Sequence, residues 1–129
     1  MTAAEIGAIS TLGLAHIGDG VYELMTRTYL VESGVTTVEK LHKKTVARVC
    51  APAQALAAQK IAPLLTDAEH DIYKRGRNAR VNSVPKGADT AQYHASTGLE
   101  TLFGWLYLRG ENDRLRELFN GITEESNAT

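Results

Sequence analysis

Two carboxylates interrupt helical stretches that are otherwise strongly apolar. Asp19 lies within LAHIGDGVYELM and Glu100 within STGLETLFGWLYL. A charge in such a stretch is costly to bury unless it is paired or binds a cation. The adjacent helical turns offer Asp19 only Ala15, His16, Tyr22 and Glu23, and offer Glu100 only Ser96, Thr97, Phe103 and Gly104. None of these is an obvious basic partner. Carboxylate oxygens are what Mg²⁺ takes, one or two at a time, alongside waters and phosphate oxygens. A cation held this way polarises a phosphodiester and lowers the pKa of a bound water. The alternative is that both acids sit at helix edges, solvated. Glu23, four residues past Asp19, adds a second negative charge on that face. It reads either as an acid near the cation or as the structural partner of a basic residue.

The other chemistry-bearing residue types form no comparable set. His16, His42, His70 and His94 make no H-x-x-x-H or H-E-x-x-H pair. His70-Asp71 is the one HD dipeptide, and it keeps open a rival reading as an HD-type metal phosphohydrolase. It also falls in a helical first turn, where acids favour the helix dipole. No serine or cysteine nucleophile motif and no glycine-rich nucleotide loop is present. Cys50, the single cysteine, has no disulfide or zinc partner in the chain and reads as a small buried hydrophobe.

The net charge of -1 over 129 residues argues at first against a phosphate-rich partner. The charge is, however, gathered in blocks. Residues 74–86 (KRGRNARVNSVPK) hold Lys74, Arg75, Arg77, Arg80 and Lys86 with no acid. Arginine forks suit phosphate oxygens, and a backbone rich in Gly and Asn allows close approach. The alternative is a solvated loop pairing with neighbouring acids. A second block, Lys40, Lys43, Lys44 and Arg48, repeats at helical steps and so shares one face. That face is either simply solvated or an RNA contact.

The elements that must position these residues are helices, and the expected class is all-α. Apolar positions Leu14, Ile17, Val21, Leu24 and Met25 recur at three- and four-residue steps through 12–30. Glycines 13, 18 and 20 within that helix predict close helix–helix approach. Thr36-Thr37 opens a second helix through Val49, and Pro52 suits the first turn of a third, which runs to Leu64. Thr66-Asp67-Ala68-Glu69 is a capping box for a helix reaching about Gly76. Residues 76–89 read as a loop. Asp89-Thr90 caps a long apolar helix to Leu108, Gly110 stops it, and a short last helix starts at Asn112-Asp113 and runs through Phe119.

With 43% hydrophobic residues, about 55 apolar side chains can fill one core, so one domain is expected over 1–129. Its core is expected over about 10–121, with 122–129 a polar tail. The first ten residues lack the basic and apolar regions of a signal peptide, and no stretch reaches about 18 uninterrupted apolar residues. The expectation is a soluble, cytoplasmic protein.

Four blocks together resemble the ribonuclease III family. LGLAHIGDGVYELM at 12–25 is similar to the family's signature helix. KLHKKTVARVCAPAQA (40–55), KRGRNARVNSVPKGAD (74–89) and YHASTGLETLFGWLYL (93–108) follow in order. More narrowly they resemble Mini-ribonuclease III, the short bacterial form without a double-stranded-RNA-binding domain. The resemblance covers residues 10–120. It implies the family's all-α endonuclease fold, a homodimer with an RNA-binding valley and one active site per subunit. It further implies Mg²⁺-dependent hydrolysis of double-stranded RNA, with Mn²⁺ as a substitute, leaving 5′-phosphate and 3′-hydroxyl ends. The substrate class it implies is precursor 23S ribosomal RNA, with a ribosomal protein as a candidate for presenting it.

Two catalytic and metal-ligating residues carry over by position, Asp19 from the GD motif and Glu100 from the last motif. Leu12 and Ala15 stand at the two upstream glutamate positions of the signature helix, and Thr97 at the aspartate position three residues before Glu100. This thinning resembles the Mini form. It leaves more of a cation's coordination to water and RNA phosphate. Arg75, Arg77, Asn78, Arg80 and Lys86, with Lys43 and Lys44, would bind the RNA backbone. A-form RNA is recognised mostly through shape, phosphates and 2′-hydroxyls, so no base-stacking aromatics are required. A catalytically silent RNA-binding relative is the second rival.

Overall fold

The computed structural model describes residues 1–80, 84 and 89–124. All regular elements among them are helical. In chain order they are α1 (Ala3–Gly7), α2 (Thr11–Glu32), α3 (Val38–Val49), α4 (Ala51–Ile61), α5 (Asp67–Arg77), α6 (Thr90–Leu108) and α7 (Asn112–Thr123). A 3₁₀ turn, Ala62–Leu64, closes α4. The all-α class is as the sequence implies.

Most helices start where a short polar side chain can accept from an otherwise unpaired N–H. Ser10, Thr37, Thr66 and Asp89 cap α2, α3, α5 and α6 through the backbone N–H groups of Gly13, Lys40, Glu69 and Gln92. At Thr66 the box is reciprocal: the Glu69 N–H donates to the Thr66 hydroxyl at 3.2 Å, and the Thr66 N–H donates to Glu69 Oε1 at 2.9 Å. Gly34 and Gly110, at φ 95° and 75°, take the left-handed turn that ends α2 and α6.

The fold is organised around α6. Leu99, Leu102, Phe103 and Leu106 are each 0% exposed, because α2, α4, α5 and α7 all pack against this helix. A helix surrounded this way must satisfy its polar side chains internally. Thr101 donates to the Thr97 carbonyl at 2.7 Å, and Thr97 donates to the Tyr93 carbonyl at 3.1 Å. Tyr22 sits edge-on to both Phe103 and Phe119, joining α2, α6 and α7 at centroid distances of 5.3 and 5.8 Å. Such edge-to-face pairs contribute about 0.5–1.5 kcal/mol beyond area burial.

Several expectations are corrected. The core reaches past 10–121 at both ends: Thr2 and Glu5 form a second capping box on α1, whose Ile6 is buried, and Ile122 is buried on α7. Residues 125–129 of the expected tail lie outside the described residues. On α2 the buried row is Leu14, Gly18, Tyr22, Thr26 and Leu30. Of the row expected from apolar residues (Leu14, Ile17, Val21, Leu24, Met25), Leu14 alone belongs to it; the other four line an open groove of about 750 Å³ shared with α6 and α7, with Val21 and Met25 also packed against the core. A row of strictly apolar types misses a face built from glycine, threonine and tyrosine. Of the three α2 glycines only Gly18 touches another helix, whereas a Cβ at Gly20 would meet nothing and one at Gly13 only Ile9 and Ser10. Cys50 is exposed, because it is the junction residue between α3 and α4.

Candidate active site

Among the described glycines, the tightest helix crossing lies beside the two acids. A Cβ built on Gly18 would fall 1.6 Å from the Glu100 carbonyl oxygen, and one on Gly104 would fall 2.0 Å from the Leu14 carbonyl oxygen. Only a pair of glycines allows α2 and α6 to meet backbone to backbone here. Asp19, the residue after Gly18, is thereby brought to the Glu100 side chain. Asp19 is exposed and Glu100 half-buried, so the pair spans from solvent into the helix packing.

Each carboxyl senses the other. Burial, and next the negative charge of Asp19, push the Glu100 carboxyl up to about 8. The hydrogen bond that protonated Glu100 shares with Asp19 acts in the same direction, and a hydrogen bond from the Gln54 side chain opposes it. Two acids this close favour either a shared proton or a cation between them. Hard oxygen donors with access to solvent on one side fit Mg²⁺ or Mn²⁺. Among the described residues no group of three or more His, Cys, Asp and Glu side chains could hold a metal. The acidic side chains brought together here are thus two, Asp19 and Glu100. Thr97 adds nothing to them directly, since it is buried and its hydroxyl donates to Tyr93.

The other expected residues divide. Glu23 pairs with Arg27 across one helical turn at 2.7 Å. Arg75 and Arg77 stand exposed on the last turn of α5, followed by Asn78 and Arg80, also exposed. That turn is held against α6 at Gly98 and Thr101, on either side of Glu100. A Cβ on Gly76 would fall 2.3 Å from the Thr101 hydroxyl and 2.9 Å from the Gly98 Cα. Gly76 is thus a buried helix-crossing residue, where the sequence reads as the start of a loop. Arg75 Nε donates to the Thr11 hydroxyl at 3.0 Å, tying α5 to the start of α2. Arg77 lies over the Tyr73 ring at 5.8 Å. Lys86 lies outside the described residues.

Lys43 and Lys44 are exposed on α3, but Arg48 is half-buried over the Tyr29 ring at 5.0 Å and leaves that basic face. His70 and Asp71 are both exposed, with no third ligand among the described residues.

One site residue was missed in the sequence. Gln54 is 1% exposed, and its Nε2 donates to the Val49 carbonyl at 3.0 Å. A lone amide inside APAQALAA is a polar group in an apolar helix, the same signal that marks Asp19 and Glu100.

An all-helical fold that joins two carboxyls at a glycine crossing, with arginines on the adjoining helix end, has the parts of a phosphodiester-cleaving nuclease. A family model described as "Ribonuclease III domain" matches residues 12–111. The chain is 43% identical to a Mini-ribonuclease 3 of Symbiobacterium thermophilum, over 96% of this chain and 95% of that protein. It is 44% identical to a Mini-ribonuclease 3 of a Thermoanaerobacter species, over 92% and 83% respectively. A crystal structure of a protein from Fusobacterium nucleatum superposes with a TM-score of 0.81 at 30% identity, covering 89% of this chain and 93% of that one. The chain belongs to the ribonuclease III family and is an endoribonuclease.

Proposed function

We propose that this endoribonuclease cleaves double-stranded RNA with Mg²⁺ bound between Asp19 and Glu100, and that it matures the paired ends of precursor 23S ribosomal RNA in the cytoplasm. The observation that carries this reading is the Gly18–Gly104 crossing, which sets Asp19 beside Glu100 so that the charge of one raises the carboxyl of the other. When bound, a divalent cation would activate water and offset charge on the leaving oxygen, giving 5′-phosphate and 3′-hydroxyl ends. Asp19, at the solvent edge, presents its carboxylate to the incoming phosphate side. Glu100, deeper, would hold the cation as a carboxylate, its proton passing to solvent. Arg75, Arg77, Asn78 and Arg80 contact the RNA backbone from the end of α5, Lys86 from the segment that follows, and Lys43 and Lys44 from α3. Glu23 steadies Arg27 in this scheme.

We further propose a homodimer formed through the second apolar face of α2. Leu24 is 64% exposed, Val31 59% and Tyr107 50%. Apolar surface of this extent on a soluble fold marks an interface. The whole chain then serves as a single catalytic domain per subunit, with a ribosomal protein as the candidate that presents the precursor.

The test is incubation with long double-stranded RNA and Mg²⁺ or Mn²⁺, then end mapping on precursor 23S RNA. Asp19→Asn and Glu100→Gln should abolish cleavage and keep RNA binding. Arg77→Ala should weaken binding and lower its salt slope by about 1. Undiminished cleavage by Asp19→Asn would remove the proposal.

A further inference from the structure

The mechanism uses two side chains at the α2–α6 crossing, yet a third polar side chain is buried against them. Gln54, on α4, is 1% exposed. Its amide has two N–H donors and one carbonyl acceptor. One N–H donates to the Val49 carbonyl at 3.0 Å. Val49 O can only accept, so this bond fixes which end of the amide is nitrogen. The Gln54 amide also acts on Glu100, where it favours the charged carboxyl. The Gln54 Oε1 is buried and has no hydrogen-bond partner.

A buried carbonyl without a partner in its own fold is unfavourable and calls for a reason. A fully buried glutamine that served only the α3–α4 junction would need one N–H and nothing more. Its second N–H and its carbonyl lie on the same rigid plane, beside Glu100. Val49 ends α3 and Gln54 lies in the first turn of α4, so the amide's hydrogen bond to the Val49 carbonyl ties the two helices at their corner.

We propose that Gln54 is a positioning residue for the cation site. One amide N–H anchors it to the Val49 carbonyl and the other orients the Glu100 carboxylate. Its carbonyl accepts a hydrogen bond from a water carried by the bound cation. This rests on the reading that Asp19 and Glu100 hold the cation. With only two carboxylates available, a group that orients one of them and seats a coordinated water substitutes for missing acidic ligands. Partners of this kind typically change metal affinity by about 10–100-fold.

The experiment is calorimetric titration of the RNA-free protein with Mg²⁺, and with Mn²⁺ in parallel, for wild type, Gln54→Met and Asp19→Asn. Methionine keeps the length and removes all three polar functions. Gln54→Met should bind Mg²⁺ at least about tenfold more weakly while thermal unfolding shows it folded. Asp19→Asn should lose binding. Gln54→Met binding Mg²⁺ like wild type, with Asp19→Asn impaired, would overturn the role of Gln54 and leave the cation reading standing. Wild type failing to bind either ion would overturn both. If Gln54→Met does not fold, the side-chain amide resonances of Gln54 in the wild-type protein decide. They should shift on Mg²⁺ addition with the calorimetric midpoint, and their failure to move at saturation overturns the proposal.

Discussion

Replacing Gly18 by alanine separates what helix propensity dictates from what the α2–α6 contact dictates. Gly18 lies mid-helix, where glycine is about 1 kcal/mol less favourable than alanine. Propensity alone therefore makes Gly18→Ala stabilising. The contact reverses the sign. The new Cβ would stand 1.6 Å from the Glu100 carbonyl oxygen, against the 3.4 Å at which ordinary contact begins, so the helices must part by about 1.8 Å. A gap of about 0.5–1 Å already forfeits a quarter to a half of each dispersion contact along the seam. Overpacking ordinarily costs about 1–3 kcal/mol, and a backbone oxygen cannot swing aside as a side chain can. A net loss of about 3 kcal/mol or more follows, a large part of a total stability of about 5–15 kcal/mol. At about 4 °C per kcal/mol the melting temperature should fall by about 12 °C. Cleavage should fall further than folding, since a displacement of about 1 Å at the reacting groups costs about 10²-fold. Circular dichroism melting and initial cleavage rates, both well below the variant's melting point, measure the two effects. A variant that melts within about 2 °C of wild type and cuts at the wild-type rate refutes the reasoning.

Burial, and next the charge of Asp19, push the Glu100 carboxyl from an ordinary 4.5 up to about 8. Between those values the folded state keeps a proton that the unfolded chain has released, so stability falls as pH rises through that window. Glu100→Gln lacks this dependence, and denaturant titrations should find it increasingly more stable than wild type from pH 4.5 to 8, a gap that Mg²⁺ narrows. Arg114 forks onto Glu69 with contacts of 2.7 and 2.8 Å and also donates to the Leu64 carbonyl. Arg114→Met leaves Glu69, 5% exposed, without its partner and should cost about 3 kcal/mol near neutral pH. The hydrogen bond from Arg114 holds the Glu69 carboxyl below its ordinary value of 4.5. That stability is present above 4.5 and lost as pH falls through the lower folded value, so wild type and variant should converge in acid. Leu24→Asp, on the open face of α2, should turn a dimer into a monomer in sedimentation velocity and leave the melting of the monomer unit nearly unchanged.

Helix starts were legible in the sequence because capping is local. Ser, Thr or Asp followed by an N–H three residues on is decided within one turn, and Thr37, Thr66 and Asp89 cap as read. The start of α1 escaped for a different reason: Thr2 and Glu5 form the same box, but five helical residues are too few to show a period. The buried face of α2 was not legible from hydrophobicity. Its row is Leu14, Gly18, Tyr22, Thr26 and Leu30, and the Thr26 hydroxyl is satisfied by the Tyr22 carbonyl at 2.8 Å. A threonine bonded to its own helix costs little to bury, and a glycine contributes by what it lacks.

The same distinction runs through the site. Asp19 and Glu100 stood out because charge in an apolar helix needs a reason, and that reasoning requires no partner to be known. What places them together is a contact between two backbones, Gly18 against Glu100 82 residues on, that only Gly18 and Gly104 permit. Nothing local announces which glycine faces which helix; Gly20, two residues on, meets nothing. Gln54 and Gly76 were passed over because each looks ordinary in its own segment, an amide among alanines and a glycine between arginines. Both acquire meaning only from α6. Gly76 brings the arginine-bearing end of α5 down onto Gly98 and Thr101, either side of Glu100. Charge, cap and period are properties of a stretch of chain, whereas the proposed site is a property of three helix crossings on one buried helix. A change at any of those crossings should therefore damage cleavage before it removes any residue that touches RNA.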